Sequence, residues 1–499
     1  VITLDALLAG IAPTNAGVPC VPLTGLTVDS RSVKKGDLFI ALPGTRTDGH
    51  AHVAAAAAAG AAAVLAERPV AATVPVVVLP STAKALSTLA ARFYGRPSQH
   101  LEIIGVTGTN GKTTITYLLE SVLQAAGKSV GVVGTIDYRW PGHRETAPNT
   151  TPHAADVQRL LAAMRDAGVS HVAMETSSHA LALGRVDDVD FTGAVFTNLT
   201  QDHLDFHRDM ERYFEAKAGL FDRLDRSGRP RRRAVINRDD PWAERLLSRV
   251  ASPAWTYGID KESDFRATDL VLSAEGSAFR LLTPFGERRE KFSLVGRHNI
   301  YNLLGALGAA LGAGVPLDTA IAGLAQMHGV PGRLERVTER PVGTTGTDLP
   351  FDLFVDYAHT DDALVNVMQT LRPLTRGRLI VLFGCGGDRD RTKRPKMGEA
   401  AARLGDRVIV TSDNPRSEDP EAIAREVEAG ARRVTGRSVE VVLDRREAIA
   451  RAVSLAGPGD VLLLAGKGHE TYQILRDRTV DFDDRAVARS LLGERARRG

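Results

Sequence analysis

The segment Gly105-Val-Thr-Gly-Thr-Asn-Gly-Lys-Thr-Thr114 constrains this chain more than any other. It lies between an apolar run, Ile103 to Val106, and a helical pattern, Ile115 to Ala126. A glycine-rich turn in that position aims backbone N–H groups and the positive end of a helix dipole at an anion. Lys112 can then reach the outer phosphates of a nucleoside triphosphate, and the Thr113 hydroxyl can ligate Mg²⁺. The spacing departs from the commonest phosphate-loop pattern, because Val106 stands six before Lys112 while the glycines fall at 105 and 108. The expected ligand is a nucleoside triphosphate, held by Gly108, Thr109, Asn110, Gly111, Lys112, Thr113 and Thr114.

A strand–loop–helix unit of this kind needs a parallel sheet around it. Apolar runs at 130–133 and 172–174, with a helical pattern at 157–167 between them, read as βαβ units. Beyond Arg333 the alternation resumes, with strands expected at 378–383, 407–411, 438–443 and 460–465. Ahead of it, the Ala-rich tract from Ala51 to Leu65 is helical by propensity, and Arg96-Pro97-Ser98 reads as a linker. The expected fold class is α/β in three domains: 1–100, 101–333 with the central P-loop parallel sheet, and 334–499 with a Rossmann-like doubly wound sheet. A length of 499 residues suits three domains at about 150 each.

Charge and cysteine usage narrow the function classes. Lys plus Arg number 63 against 60 Asp plus Glu, so there is no broad basic field and a nucleic-acid partner is not expected. Cys20 and Cys385 are far apart and offer no zinc or iron–sulfur spacing, which fits a reducing, cytoplasmic setting. The uncharged tract His298 to Leu317 is long enough to span a bilayer. It contains Asn299, Asn302, four glycines and Pro316, and places Ile300, Leu303, Leu304, Leu307 and Leu311 on one helical face. It reads as a buried helix, and no membrane insertion is expected. The sequence begins at Val1 rather than Met, so residues upstream of it are expected.

Three further positions carry possible chemistry. Glu175 ends the apolar strand Val172 to Met174, where a Mg²⁺ ligand would come from, although a strand-end Glu is as often a cap. His203 follows another expected strand, 194–199; a lone histidine is more often structural. Lys217 falls on the apolar stripe of Tyr213, Phe214, Leu220 and Phe221. Snorkelling is the bland explanation; a buried amine of lowered pKa is the functional one.

Thr107-Gly-Thr-Asn-Gly-Lys-Thr113 resembles the nucleotide loop of the Mur ligases and folylpolyglutamate synthetases, which are ATP-dependent amide-bond ligases. Further motifs resemble the Mur ligases in order along nearly the whole chain. By that resemblance His203 ligates a second Mg²⁺, and Lys217 in Phe214-Glu-Ala-Lys217 is carbamylated by CO₂, so that two Mg²⁺ ions are held by Thr113, Glu175, His203 and Lys217. Lys112, Lys217 and His203 are then the catalytic set. Leu26 to Ser32, Gly36 to Gly44 and Asp48 to His50 resemble the uridine-diphosphate domain, which folylpolyglutamate synthetases lack. The resemblance puts Ser30 and Arg31 near the uridine diphosphate, and Asn149, Thr150, Thr151, Ser178 and Arg185 on the muramoyl-peptide. Leu183 departs from the pattern, as relatives often carry Gln there.

It also implies Asn302 near adenine, Arg333 near the phosphates and Asp356 near the ribose. Three loops that follow expected strands, Gly384 to Arg389, Asp413-Asn-Pro-Arg416 and Gly466 to Glu470, should converge at one crevice. Asp413, Asn414, Pro415 and Arg416 resemble the signature of the diaminopimelate-adding branch. Arg416, as a buried guanidinium, would face the carboxylate that L-lysine lacks, while Arg389, Asn414, Gly466 and Glu470 hold the rest of the amino acid. The implied substrates are ATP, a UDP-muramoyl-dipeptide and meso-diaminopimelate, the implied process is cytoplasmic peptidoglycan precursor synthesis, and a monomer is expected. Two alternatives stay open: an L-lysine-adding ligase of the same family, and a nucleotide-switched binding protein that joins nothing.

Overall fold

The structure is a computed structural model that describes residues 2–11, 17–44, 48–337, 350–434, 436 and 438–498. These form two compact units: residues up to 267 with 282–287 and 301–326, and residues 268–281, 288–300 and 327 onward.

The first unit holds a four-stranded sheet and a larger one, besides the short antiparallel pair of Ile2–Thr3 with Pro22–Leu23. Gly25–Thr27, Asp37–Ile40, Ala63–Ala66 and Val76–Val78 pair in chain order, all parallel. Here the Ala-rich tract departs from its expected helix. It is helical over Gly49–His52 and Val53–Ala58, and then Ala63–Ala66 becomes a fully buried strand. Pairing on both sides and burial of all four residues outweigh the alanine propensity. Helix Thr82–Phe93, capped by the Ser81 hydroxyl, closes this layer. Ala154 and Ala155 of helix Ala154–Asp166 share its apolar core, and the backbone N–H of Asp188 donates to Ser87 Oγ at 3.0 Å.

Eight of the larger sheet's eleven strands run, in spatial order, His143–Thr146, Asp137–Trp140, Val130–Val133, His171–Glu175, Glu102–Thr107, Gly193–Phe196, Arg233–Asn237 and Ala254–Gly258. The last six are mutually parallel. Glu102–Thr107 sits between His171–Glu175 and Gly193–Phe196, so the loops leaving these three strands converge at one end of the sheet, where open α/β sheets bind ligands. The tract that could have spanned a membrane is helix Arg297–Gly312 followed by helix Leu317–Ala325, with Ile300, Leu303, Leu304 and Leu307 buried. No helix among the described residues is long and apolar enough to cross a membrane.

In the second unit Asp352–Asp356, Val461–Ala465, Leu379–Phe383, Arg407–Val410 and Ser438–Val441 form a parallel sheet in that order, edged by antiparallel Glu335–Arg336. Apolar cores cover both faces, which is why Leu379–Phe383 and Val461–Ala465 read as unbroken hydrophobic runs. The expected doubly wound α/β architecture is present.

Candidate active site

Thr107 ends its strand and Lys112 opens helix Lys112–Ala125, so the loop between them surrounds the helix N-terminus. Gly108 (φ +147°) and Gly111 (φ +90°) take backbone conformations that side chains disfavour; a Cβ would collide with the Thr197 hydroxyl at the first and the Asn302 amide oxygen at the second. Asn302 thus lies against the loop at Gly111. Asn110 accepts from Thr197 Oγ1 at 2.6 Å through its carbonyl, and its N–H donates to Asn198 Oδ1 at 3.0 Å. Thr109 Oγ1 shares a hydrogen bond with Tyr213 at 3.2 Å. Thr114 is buried beneath the loop.

The Glu175 carboxylate lies 1% exposed at the end of its strand, and hydroxyls and an amide surround it. Thr113 Oγ1 donates to Oε2 at 3.1 Å, Thr135 Oγ1 to the same oxygen at 3.0 Å, and the Thr135 N–H to Oε1 at 2.8 Å. Thr135 Oγ1 also meets Thr150 Oγ1 at 3.0 Å. One chain of hydrogen bonds therefore runs from the phosphate loop to the segment expected to hold the muramoyl-peptide.

Lys217 is 1% exposed on helix Met210–Arg226, which the Asp209 carboxylate caps at the Arg212 N–H. Its ammonium donates to the Gly108 carbonyl at 2.7 Å and lies 4.4 Å from the Tyr213 ring centroid. Lys112 Nζ donates to the same carbonyl at 2.9 Å and to Thr109 O at 2.8 Å. Burial, reinforced by the Lys112 charge, holds the Lys217 amine well below the ordinary lysine range. Snorkelling is thus excluded. His203 sits at φ +52° with about half its side chain exposed. Burial of the rest pulls its pKa down, and the Lys112 and Lys217 charges add to this against the opposing Asp202.

Beside this centre, the Thr151 hydroxyl donates to the Glu175 carbonyl at 2.8 Å, and Arg185 Nη1 donates to Thr151 O at 3.0 Å. The buried Arg185 Nε has no hydrogen-bond partner among the described residues, and burial lowers the guanidinium pKa. Ser178 Oγ pairs with His207 Nε2 at 2.9 Å, and the Asn149 carbonyl accepts from Tyr138 OH. Leu183 is 53% exposed. In the four-stranded sheet's layer, Ser30 and Arg31 form a short 3-10 turn capped by Asp29, whose carboxylate also pairs with the exposed Arg31 side chain.

In the second unit Arg333 stacks on Tyr357 at 4.8 Å, and Asp356 accepts from the N–H groups of Leu334 (2.7 Å) and Ala358 (2.8 Å). Burial raises the Asp356 pKa, opposed by Arg333. The three expected loops do meet. The Gly387 N–H donates to the Asn414 carbonyl at 2.9 Å, close beside Pro415 O, and Arg416 Nη1 donates to Gly387 O at 2.8 Å. Asn414 Nδ2 donates to Glu470 Oε2 at 2.8 Å, and Gly466 (φ +110°) packs beside Asp413. Arg389 is exposed and Arg416, at φ +53°, is partly buried rather than fully enclosed as expected, its guanidinium resting on the Gly387 carbonyl.

Comparison with known proteins bears on all of this. Residues 22–94 match the Mur ligase family catalytic domain, 106–310 the Mur ligase middle domain, and 332–468 the Mur ligase glutamate ligase domain. The chain is 49% identical over 499 residues to a UDP-N-acetylmuramoyl-L-alanyl-D-glutamate--2,6-diaminopimelate ligase of Gloeobacter violaceus, covering 99% of each. The chain is a Mur ligase. It is also 46% identical over 496 residues to the ligase of the same name from Geobacillus kaustophilus, again with 99% of each covered. A solved structure of that name superposes with a TM-score of 0.70 at 34% identity, covering 99% of both chains.

Several polar groups of this Mur ligase escaped the sequence reading. Thr135 and His207 lie in unremarkable segments, and only the fold brings them to Glu175 and Ser178. Arg394 and Arg445 are wholly buried: Arg394 pairs with Glu418 and Glu426, and Arg445 with Asp484. Lys467 is buried as well, and its place directly after the apolar run 461–465 was the available signal.

Proposed function

We propose that this Mur ligase uses ATP to add meso-diaminopimelate to UDP-N-acetylmuramoyl-L-alanyl-D-glutamate, in peptidoglycan precursor synthesis. The observation that carries the reading is identity of 46–49% over nearly the whole chain with ligases of that name. The convergence of Asp413, Asn414, Arg416 and Glu470 on one sheet end supports it chemically, because guanidinium, amide and carboxylate suit an amino acid with two carboxylates and two amines.

In this reading the γ-phosphoryl group passes to the D-Glu side-chain carboxylate, giving ADP and an acyl phosphate. The diaminopimelate amine attacks the acyl carbon and loses a proton, and phosphate leaves the tetrahedral intermediate. Lys112 and the N–H groups of the Gly108–Thr114 loop bind the phosphates and offset charge as it develops. Arg185, whose Nε is unpartnered, offers a cation to the dipeptide, and Ser178, oriented by His207, a hydroxyl.

The residues fit Mg²⁺. Thr113 and Glu175 present oxygens 3.1 Å apart, and the lowered Lys217 pKa raises the share of neutral amine, the form that bonds to the carbon of CO₂, releasing a proton and leaving a carbamate. Among the described residues no three His, Cys, Asp or Glu side chains group closely enough to hold a metal, so a carboxylated Lys217 would supply oxygen ligands that the centre lacks. Two Mg²⁺ ions held by Thr113, Glu175, His203 and carbamylated Lys217 would neutralise the transferring phosphoryl oxygens. By family resemblance Asn302 takes adenine, Arg333 the phosphates and Asp356 the ribose. Ser30 and Arg31 take the uridine diphosphate, and Asn149, Thr150 and Thr151 the muramoyl-peptide. We read the protein as a cytoplasmic monomer of three functional domains, with its two free thiols in a reducing setting.

A ligation assay comparing amino acids tests the reading. Wild type should use diaminopimelate almost exclusively. Arg416→Ala should raise its KM about 10- to 150-fold, the worth of a charge-assisted hydrogen bond at about 1.5–3 kcal/mol, and narrow the preference over L-lysine. The KM values for ATP and the UDP-dipeptide should hold. Equal use of L-lysine by wild type would overturn the assignment.

A further inference from the structure

Lys467 has a fully buried side chain, and its ammonium is surrounded by three acceptors. Nζ lies 3.2 Å from Asn414 Oδ1, 3.2 Å from Glu470 Oε2 and 3.5 Å from Asp413 Oδ1. An ammonium has three N–H donors, so this set uses all of them. All three partners belong to the group that the proposed function assigns to diaminopimelate, yet Lys467 itself is shut off from solvent.

Its contacts fix the roles of its neighbours. Asn414 Oδ1 accepts from Lys467 and from the Ile474 N–H at 2.9 Å, which turns its Nδ2 toward Glu470 Oε2 at 2.8 Å. Glu470 Oε2 thus takes both the Asn414 amide and the Lys467 ammonium, and among the described residues no hydrogen bond engages Oε1, which can accept from a ligand. The Asp413 carbonyl is held by Gln473 Nε2 at 2.7 Å, so backbone and side chain of this loop are braced from the same side. Without the Lys467 cation, the buried Asp413 carboxylate and the partly buried Glu470 carboxylate would lose the charge they share, leaving the Arg445 guanidinium to oppose their repulsion.

We propose that Lys467 is a positioning residue for the amino-acid substrate: it aligns Glu470 and Asn414 to receive an ammonium group and never touches the substrate. The inference rests on the diaminopimelate reading. A buried positive charge also explains how two carboxylates can stand together ready for a cationic ligand without repelling one another.

The test is steady-state kinetics of the full chain with Lys467→Met and Lys467→Arg, each with thermal unfolding as a check. Both variants should raise the KM for diaminopimelate at least tenfold, Met because it has no donors and Arg because its planar fork cannot meet three acceptors arranged around an ammonium. The KM values for ATP and the UDP-dipeptide, and kcat at saturating diaminopimelate, should stay within about twofold of wild type, a split that a merely structural defect would not produce. If Lys467→Met fails to fold, Lys467→Arg decides. A diaminopimelate KM within twofold of wild type in a folded variant, or a loss confined to kcat, overturns the proposal. Failure of wild type to use diaminopimelate would instead refute the reading beneath it.

Discussion

Asp484→Asn should destabilise the C-terminal sheet severely while leaving its shape almost unchanged. Arg445 and Asp484 form a pair in which both side chains are 0% exposed, with Arg445 Nε to Oδ1 at 2.7 Å and Nη2 to Oδ2 at 2.6 Å. Arg445 also donates to Ser412 O at 3.3 Å and Ala465 O at 3.1 Å, and so ties together the ends of strands Arg407–Val410 and Val461–Ala465 just before their functional loops. The asparagine keeps one acceptor but leaves the buried guanidinium without its paired carboxylate, with only the more distant Asp413 and Glu470 charges to offset it. Removing one partner of such a pair costs about 3–5 kcal/mol, or roughly 10²- to 10³·⁵-fold in the opening equilibrium. Native-state hydrogen exchange of amides in those two strands reads this directly. The double variant Arg445→Met/Asp484→Leu, which removes both charges, should recover most of the loss. A loss below about 1 kcal/mol in Asp484→Asn, or no recovery in the double variant, would refute the reasoning.

Lys112→Ala should abolish ligation with an unchanged unfolding curve, since it removes a cation from the phosphates and little packing; retained activity would sink the ATP assignment. Lys217→Ala should be inactive, with partial recovery in millimolar formate or acetate as a substitute for the carbamate oxygens. A ¹³C resonance from ¹³CO₂-treated wild type, missing in the variant, is the direct check. Burial pushes the Cys385 thiol up to about 12, so at pH 8 a thiol reagent should titrate exposed Cys20 at once and Cys385 only after unfolding. Arg394 holds Glu418 down at about 2, so this carboxylate's contribution is present above its unfolded value of 4.5 and is lost as pH falls toward 2. Arg394→Met should flatten acid unfolding across that window.

The parts of the fold legible in the sequence are those where one physical rule acts alone. Val130–Val133 and Leu379–Phe383 are short apolar runs buried on both faces, and they stand where the pattern put them, within a residue. The inward position of Lys217 followed from helical spacing alone. The tract at 51–65 misled because alanine propensity is local, whereas the pairing of Ala63–Ala66 with chain on either side is not. In the site, the residues on strand-end loops were legible because strand ends in parallel sheets converge. Arg394, Arg445, Lys467 and Thr135 were hidden for the opposite reason: each is held by a partner 24 to 54 positions away in sequence.

The chain of hydroxyls around Glu175 has a thermodynamic consequence. Thr113 belongs to the phosphate loop and Thr150 to the dipeptide side, and both reach the same buried carboxylate, one directly and one through Thr135. A ligand that claims the Thr113 hydroxyl removes a hydrogen bond from Glu175 and alters how firmly Thr135, and through it Thr150, is held. Linkage makes such an effect run equally in both directions, so, on the proposed assignment of the two ends, occupancy of either would change affinity at the other.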